Sequence, residues 1–110
     1  MGITKSNLFT EEQNEFARVA KALAHPARVA IIDHLIKQNA CINGDLVQEL
    51  GLAQATISQH LRELKEVGII MGTIEGTKVS YCINPERWKA IQQLFEATFS
   101  RFQDDDGVCC

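Results

Sequence analysis

At 110 residues and 45% hydrophobic content, the chain is long enough for one domain with a modest core. It has no apolar run able to span a bilayer, and its start, MGITKSNLF, lacks the apolar stretch of a secretory signal, so a cytoplasmic protein is expected. A net charge of −3 argues against strong non-specific binding to nucleic acid, although Asp104, Asp105 and Asp106 account for all of the deficit.

Thr10 followed by Gln13 has the form of a capping box and starts a first helix, with Phe16, Val19, Ala20 and Leu23 on its apolar face. Pro26 suits the first turn of a second helix whose inward residues are Ala27, Ile31, Leu35 and Ile36. Asn43 is a good N-cap for a short helix over Gly44 to Leu50, and Gly51 stops it. After a turn of about three residues comes a further helix, ended by Gly68. Residues 69–74 and 78–83 read as two strands joined by Glu75, Gly76 and Thr77, with Val79, Tyr81 and Ile83 alternating against Lys78, Ser80 and Cys82. Asn84-Pro85 launches a last helix to about Gln103, carrying Trp88, Ile91, Leu94, Phe95, Phe99 and Phe102. That apolar face is broader than a small core needs, so part of it is expected to pack on a second subunit. The chain thus divides into one domain, residues 1–103, and an acidic tail, residues 104–110, ending in Cys109-Cys110.

Within residues 51–70, Ile57, Leu61 and Leu64 recur at the spacing that buries one stripe of a helix. Ala55, Ser58, Gln59 and Arg62 fall on the opposite face. Gln and Arg can read base edges in a major groove and Ser can hold a phosphate, so this helix reads as the second half of a helix-turn-helix.

The succession of helices, helix-turn-helix, two-stranded wing and final helix resembles the ArsR/SmtB family of metal- and metalloid-responsive repressors. The residues that carry the likeness are KALAHPARVAIIDHL (21–35), DLVQELGLAQATISQHLRELKEVGII (45–70) and VSYCINP (79–85). The resemblance implies a mainly α fold with a small β-wing and a homodimer joined through the first and last helices. It also implies a repressor that sits on double-stranded operator DNA until an inducer releases it. By position it assigns DNA contacts to Gln54, Thr56, Ser58 and Gln59; helical facing adds Arg62, and the tip of the wing adds Lys78. Ala53 and Ala55 stand where many members have Ser, so the recognition helix lacks its usual cap.

Two inducer sites are well known in the family. One uses Asp and His of the last helix, which here contains no histidine. The other uses thiolates before an Asp-Leu pair, and this chain has Cys41 ahead of Asp45-Leu46, one residue out of register and without the second cysteine. Cys109 and Cys110 are able to complete such a site, because the six residues from Gln103 to Cys109 reach about 20 Å when extended. Three thiolates from Cys41, Cys109 and Cys110 would take a soft ion, As(III) or Sb(III). No cofactor is needed for folding. Cys82 is read as structural, His25 as a turn residue, His34 as a surface residue, and His60 as a packing or hydrogen-bonding residue. A structural disulfide is not expected in a reducing compartment.

Three alternatives stand beside this reading. A cadmium- or lead-responsive repressor uses the same thiolates. A thiol redox or persulfide sensor would oxidise Cys41 with a tail cysteine, although family members of that kind carry their cysteines in the second and last helices, where this chain has none. Outside the class lies a dimeric interaction protein that does not bind DNA, consistent with the acidic balance. No Gly-rich phosphate loop and no nucleophile paired with a base is recognisable, so neither an enzyme nor a small-molecule substrate is expected.

Overall fold

A computed structural model describes residues 8–38, 50–75 and 78–104. Helix α1 (Glu11–Leu23) opens on the expected capping box. The Thr10 hydroxyl accepts from the Gln13 N–H at 3.0 Å, and the Gln13 side-chain carbonyl accepts from the Thr10 N–H at 3.0 Å. Val19 is fully buried, and its companion is Ala22 rather than Ala20, which is only half-buried. Ala22 lies three residues from Val19, on the face where the chain turns back into the next helix.

Helix α2 (Pro26–Gln38) has proline in its first turn, as expected. His25 caps it: its Nδ1 accepts from the Ala27 N–H at 3.4 Å, and its carbonyl accepts from Arg28 and Val29. Ile31, Ile32 and Leu35 are buried, whereas Ile36 is 50% exposed, which corrects the inward assignment of Ile36. Ile32 shares an apolar groove with Ile69, Trp88 and Ile91; Ile36, one turn further on, has passed the end of that groove.

Of the short helix expected over 44–50, only Leu50 lies within the described residues, and it is helical. Gly51 has φ +67°, a left-handed conformation that suits a helix stop. Helix α3 (Gln54–Glu66) follows after residues 51–53, with Ala53 at the N-cap and no side-chain cap bond, as its alanine implies. Ile57, Leu61 and Leu64 are buried as the stripe requires, and His60 is buried beside them.

The exit from α3 is a Schellman turn. The Gly68 N–H bonds to the Lys65 carbonyl, the Ile69 N–H to the Leu64 carbonyl, and Gly68 takes φ +87°. Ile69 is thereby spent on closing the helix, so strand β1 (Ile70–Glu75) begins and ends one residue later than the pattern suggests. Strand β2 (Lys78–Ile83) pairs with it antiparallel, from Ile70 opposite Ile83 to Glu75 opposite Lys78.

Helix α4 (Pro85–Phe99) is capped by the Asn84 side chain, which accepts from the Arg87 N–H at 3.3 Å. It ends at Phe99, short of the expected Gln103. Phe99 and Phe102 are 68% and 80% exposed, so beyond that point the helix has no core of its own protomer to lie on. The core gathers Val19, Ile31, Ile57, Leu64, Ile69 and Ile70 between the helices and the root of the wing. Among the described residues no helix is long and apolar enough to cross a membrane.

Candidate nucleic-acid interface

Helix α3 is held from behind and offers its other side to solvent. Gln54, Ala55, Thr56, Gln59 and Arg62 are exposed, and Ser58 is half-buried. Their side chains occupy one another: Gln54 Nε2 donates to Ser58 Oγ at 3.4 Å, and Arg62 Nη1 donates to Gln59 Oε1 at 3.1 Å. Gln59 Nε2 in turn donates to a Glu63 carboxylate oxygen at 3.2 Å. One N–H and one lone pair of the Gln59 amide are engaged in this way, and because the amide has a second of each, a base edge can pair with it without displacing Arg62 or Glu63. All these bonds lie at the solvent surface, where exchange for another partner costs little.

The buried side is fixed by a polar contact as well as by apolar packing. His60 is 6% exposed and accepts at Nδ1 from Arg28 Nε at 3.0 Å. Arg28 Nη1 donates to the Ala22 carbonyl at 3.2 Å, so one guanidinium joins the end of α1 to α3. The His25 ring stands 4.4 Å from the His60 ring. Burial first, and then the neighbouring His25 and Arg28, hold His60 below the usual histidine range.

The far end of α3 is gripped by two further arginines. Arg87 Nε donates to the Val67 carbonyl at 2.9 Å, and Arg18 Nη1 to the Glu66 carbonyl at 3.4 Å. The Glu15 carboxylate lies between them, paired with Arg18 at 3.1 Å and with Arg87 Nη2. Two cations at a helix C-terminus suit its partial negative charge, and through them α1 and α4 both hold α3. Sequence reasoning gave His60 its packing and hydrogen-bonding role but not its partner, and it missed the Glu15 cluster. The spacing of Glu15 and Arg18 marks a helical pair, but nothing in the residue order points Arg87 at Glu15 or Arg28 at His60.

Lys78 opens β2 beside the tip of the wing, across the ladder from Glu75. Cys41, Cys109 and Cys110 lie outside the described residues. Cys82 sits in β2 opposite Met71 and is disulfide-bonded. This corrects the expectation that the chain would carry no disulfide, and it brings Cys82 into the thiol chemistry. Among the described residues no group of three or more His, Cys, Asp or Glu is placed to hold a metal ion.

Comparison with known proteins gives this geometry a context. The family model of bacterial regulatory proteins of the arsR family matches residues 25–71, from the cap of α2 to the first residues of the wing. The chain is similar to the HTH-type transcriptional regulator CmtR of Mycobacterium tuberculosis, with 35% identity over 98 residues, 88% of this chain and 80% of CmtR. Among solved structures, it is similar to the transcriptional repressor BigR from Xylella fastidiosa, at TM-score 0.62 and 28% identity, covering 94% of this chain and 100% of BigR. It is also similar to reduced HlyU from Vibrio cholerae, at TM-score 0.63 and 26% identity, covering 79% of this chain and 92% of HlyU. The exposed polar face of α3, the wing beside it and the match that spans both agree: the chain belongs to the ArsR/SmtB family and is a DNA-binding transcriptional repressor with a winged helix-turn-helix, not an enzyme.

Proposed function

We propose that this repressor, once its Cys82 disulfide is reduced, leaves its operator when a thiophilic ion, As(III) or Sb(III), is bound by the thiolates of Cys41, Cys109 and Cys110. The observation that carries this reading is the chemistry of the available donors. Helix α4 has no histidine, and the described residues contain no carboxylate–imidazole group fit for a harder ion. The chain offers thiolates instead, and thiolates select soft ions, with cadmium or lead as the divalent alternative.

Gln54, Thr56, Ser58, Gln59 and Arg62 make the groove and phosphate contacts, with Lys78 on the backbone from the wing. The working unit is a homodimer in the cytoplasm, where its operator is. Its interface is formed by the apolar residues left exposed just before α1 and at the end of α4, Phe9 and Phe99 foremost. The ion acts by binding the DNA-free conformation more tightly, by a coupling energy of about 1–3 kcal/mol.

Truncation after Gly107 tests this. Operator binding should remain while release by arsenite is lost, and Cys41→Ser should behave likewise. If the truncated protein leaves its operator at the same arsenite concentration as the parent, the tail cysteines are not ligands. Antimonite, cadmium and lead in parallel titrations identify the ion.

A second reading is favoured by one observation, the disulfide at Cys82. A thiol redox sensor would be released by oxidant rather than by an ion. The likeness to HlyU, solved in a reduced form, supports that chemistry. Cys82→Ser separates the two: it leaves an arsenite response intact but removes a response to oxidant.

A further inference from the structure

Apolar contacts keep α3 seated but resist its rolling only weakly, because they are not directional. A hydrogen bond is directional. The bond from Arg28 Nε to His60 Nδ1, 3.0 Å long, lies on the side of α3 away from Gln59 and Arg62. A roll of about 20° about the helix axis would move a side chain on its surface by about 2 Å, enough to lose a base contact. Arg28 is itself anchored on the Ala22 carbonyl, so the bond refers the rotation of α3 to the α1–α2 pair.

We propose that Arg28 and His60 are positioning residues for operator recognition: their hydrogen bond, available only while His60 is neutral, sets the rotation in which α3 presents Gln59 and Arg62, and protonation of His60 weakens DNA binding. The inference rests on DNA reading by α3 and is independent of the inducer. Once protonated, His60 has no lone pair at Nδ1, and two cations face each other at hydrogen-bond distance in a partly buried place. The surrounding charges do not relieve this. Arg18 and Lys21 from α1, His25 from the turn and Arg28 from α2 line the groove behind it, against Glu63 and Glu66 from α3.

The clamped form binds fewer protons than the open one, because its His60 lies below 6.5. Operator affinity is therefore constant above that pH and falls as the pH drops through and below it. The sign is diagnostic. Protonating exposed histidines adds positive charge and strengthens binding to phosphates in acid.

The experiment is fluorescence anisotropy of a labelled duplex from upstream of the protein's own gene, between pH 7.5 and 5.5 at fixed ionic strength. The parent should lose affinity in acid, by up to about tenfold per coupled proton, since each is worth at most tenfold over the pH unit below 6.5. His60→Asn places a non-titrating acceptor where Nδ1 stood. It should bind within about threefold of the parent at pH 7.5 and show a flat profile. Arg28→Gln should bind more weakly at pH 7.5 and lose most of the pH dependence. A parent profile that is flat or rises in acid overturns the proposal, as does a His60→Asn profile as steep as the parent's. Should His60→Asn fail to fold by circular dichroism, the sign of the parent profile and Arg28→Gln decide. A parent that binds no operator at pH 7.5 overturns the DNA-reading assignment itself, a different result from binding that ignores pH.

Discussion

Gln59 shows how a reading residue is kept ready. Its amide donates to Glu63 and accepts from Arg62, so its plane is fixed before any base arrives. Less rotamer freedom remains to be lost on binding. Gln59→Ala should reduce discrimination between operator and scrambled DNA by about 1–3 kcal/mol if the contact is bidentate. Lys78→Ala should instead weaken binding to both sequences alike and flatten the salt dependence by about one unit. Competition titrations at several salt concentrations measure both effects. Equal discrimination by Gln59→Ala and the parent would remove Gln59 from the groove.

At the scale of elements, the recognition helix is mounted at its C-terminal end and along its back. His60 and Arg28 tie its middle to α2, while Arg18 and Arg87 hold its last carbonyls from α1 and α4. Gly68 makes the second attachment possible. Its left-handed φ closes the helix, and its lack of a side chain lets Arg87 pass, since a Cβ there would stand 3.0 Å from Arg87 Cγ. Gly68→Ala should therefore cost about 1–2 kcal/mol for the backbone conformation alone, and more if Arg87 is pushed off the Val67 carbonyl. Urea unfolding should show a lower midpoint with an unchanged slope. A midpoint equal to the parent's would mean that the turn relaxes without loss.

The whole molecule leaves aromatic surface uncovered. Phe16 stacks on Phe95 with ring centroids 4.2 Å apart, and Phe99 leans edge-on against both. Phe95 is thus engaged within its own protomer, whereas Phe99 and Phe102 face outward. A test of dimerisation belongs on the outward pair. Phe99→Glu with Phe102→Glu should shift the sedimenting species from dimer to monomer and remove the concentration dependence of the melting temperature. An unchanged dimer mass would place the interface elsewhere.

Local physics was enough for much of this protein. The Thr10–Gln13 capping box, the proline at the start of α2, the Ile57–Leu61–Leu64 stripe and Gly68 as a stop are all set by residues within a turn or two of each other, and so were legible in order along the chain. The polar face of α3 was legible for the same reason, because what a helix does not bury follows from what it does. Tertiary structure decided the rest. Ile32 and not Ile36 is buried because of where α4 lies, and Ile69 leaves the strand because the helix exit claims its N–H. Arg28 with His60, and Arg87 with Glu15, meet across 32 and 72 residues of sequence. Periodicity carries no record of such meetings; they exist only once the helices have packed.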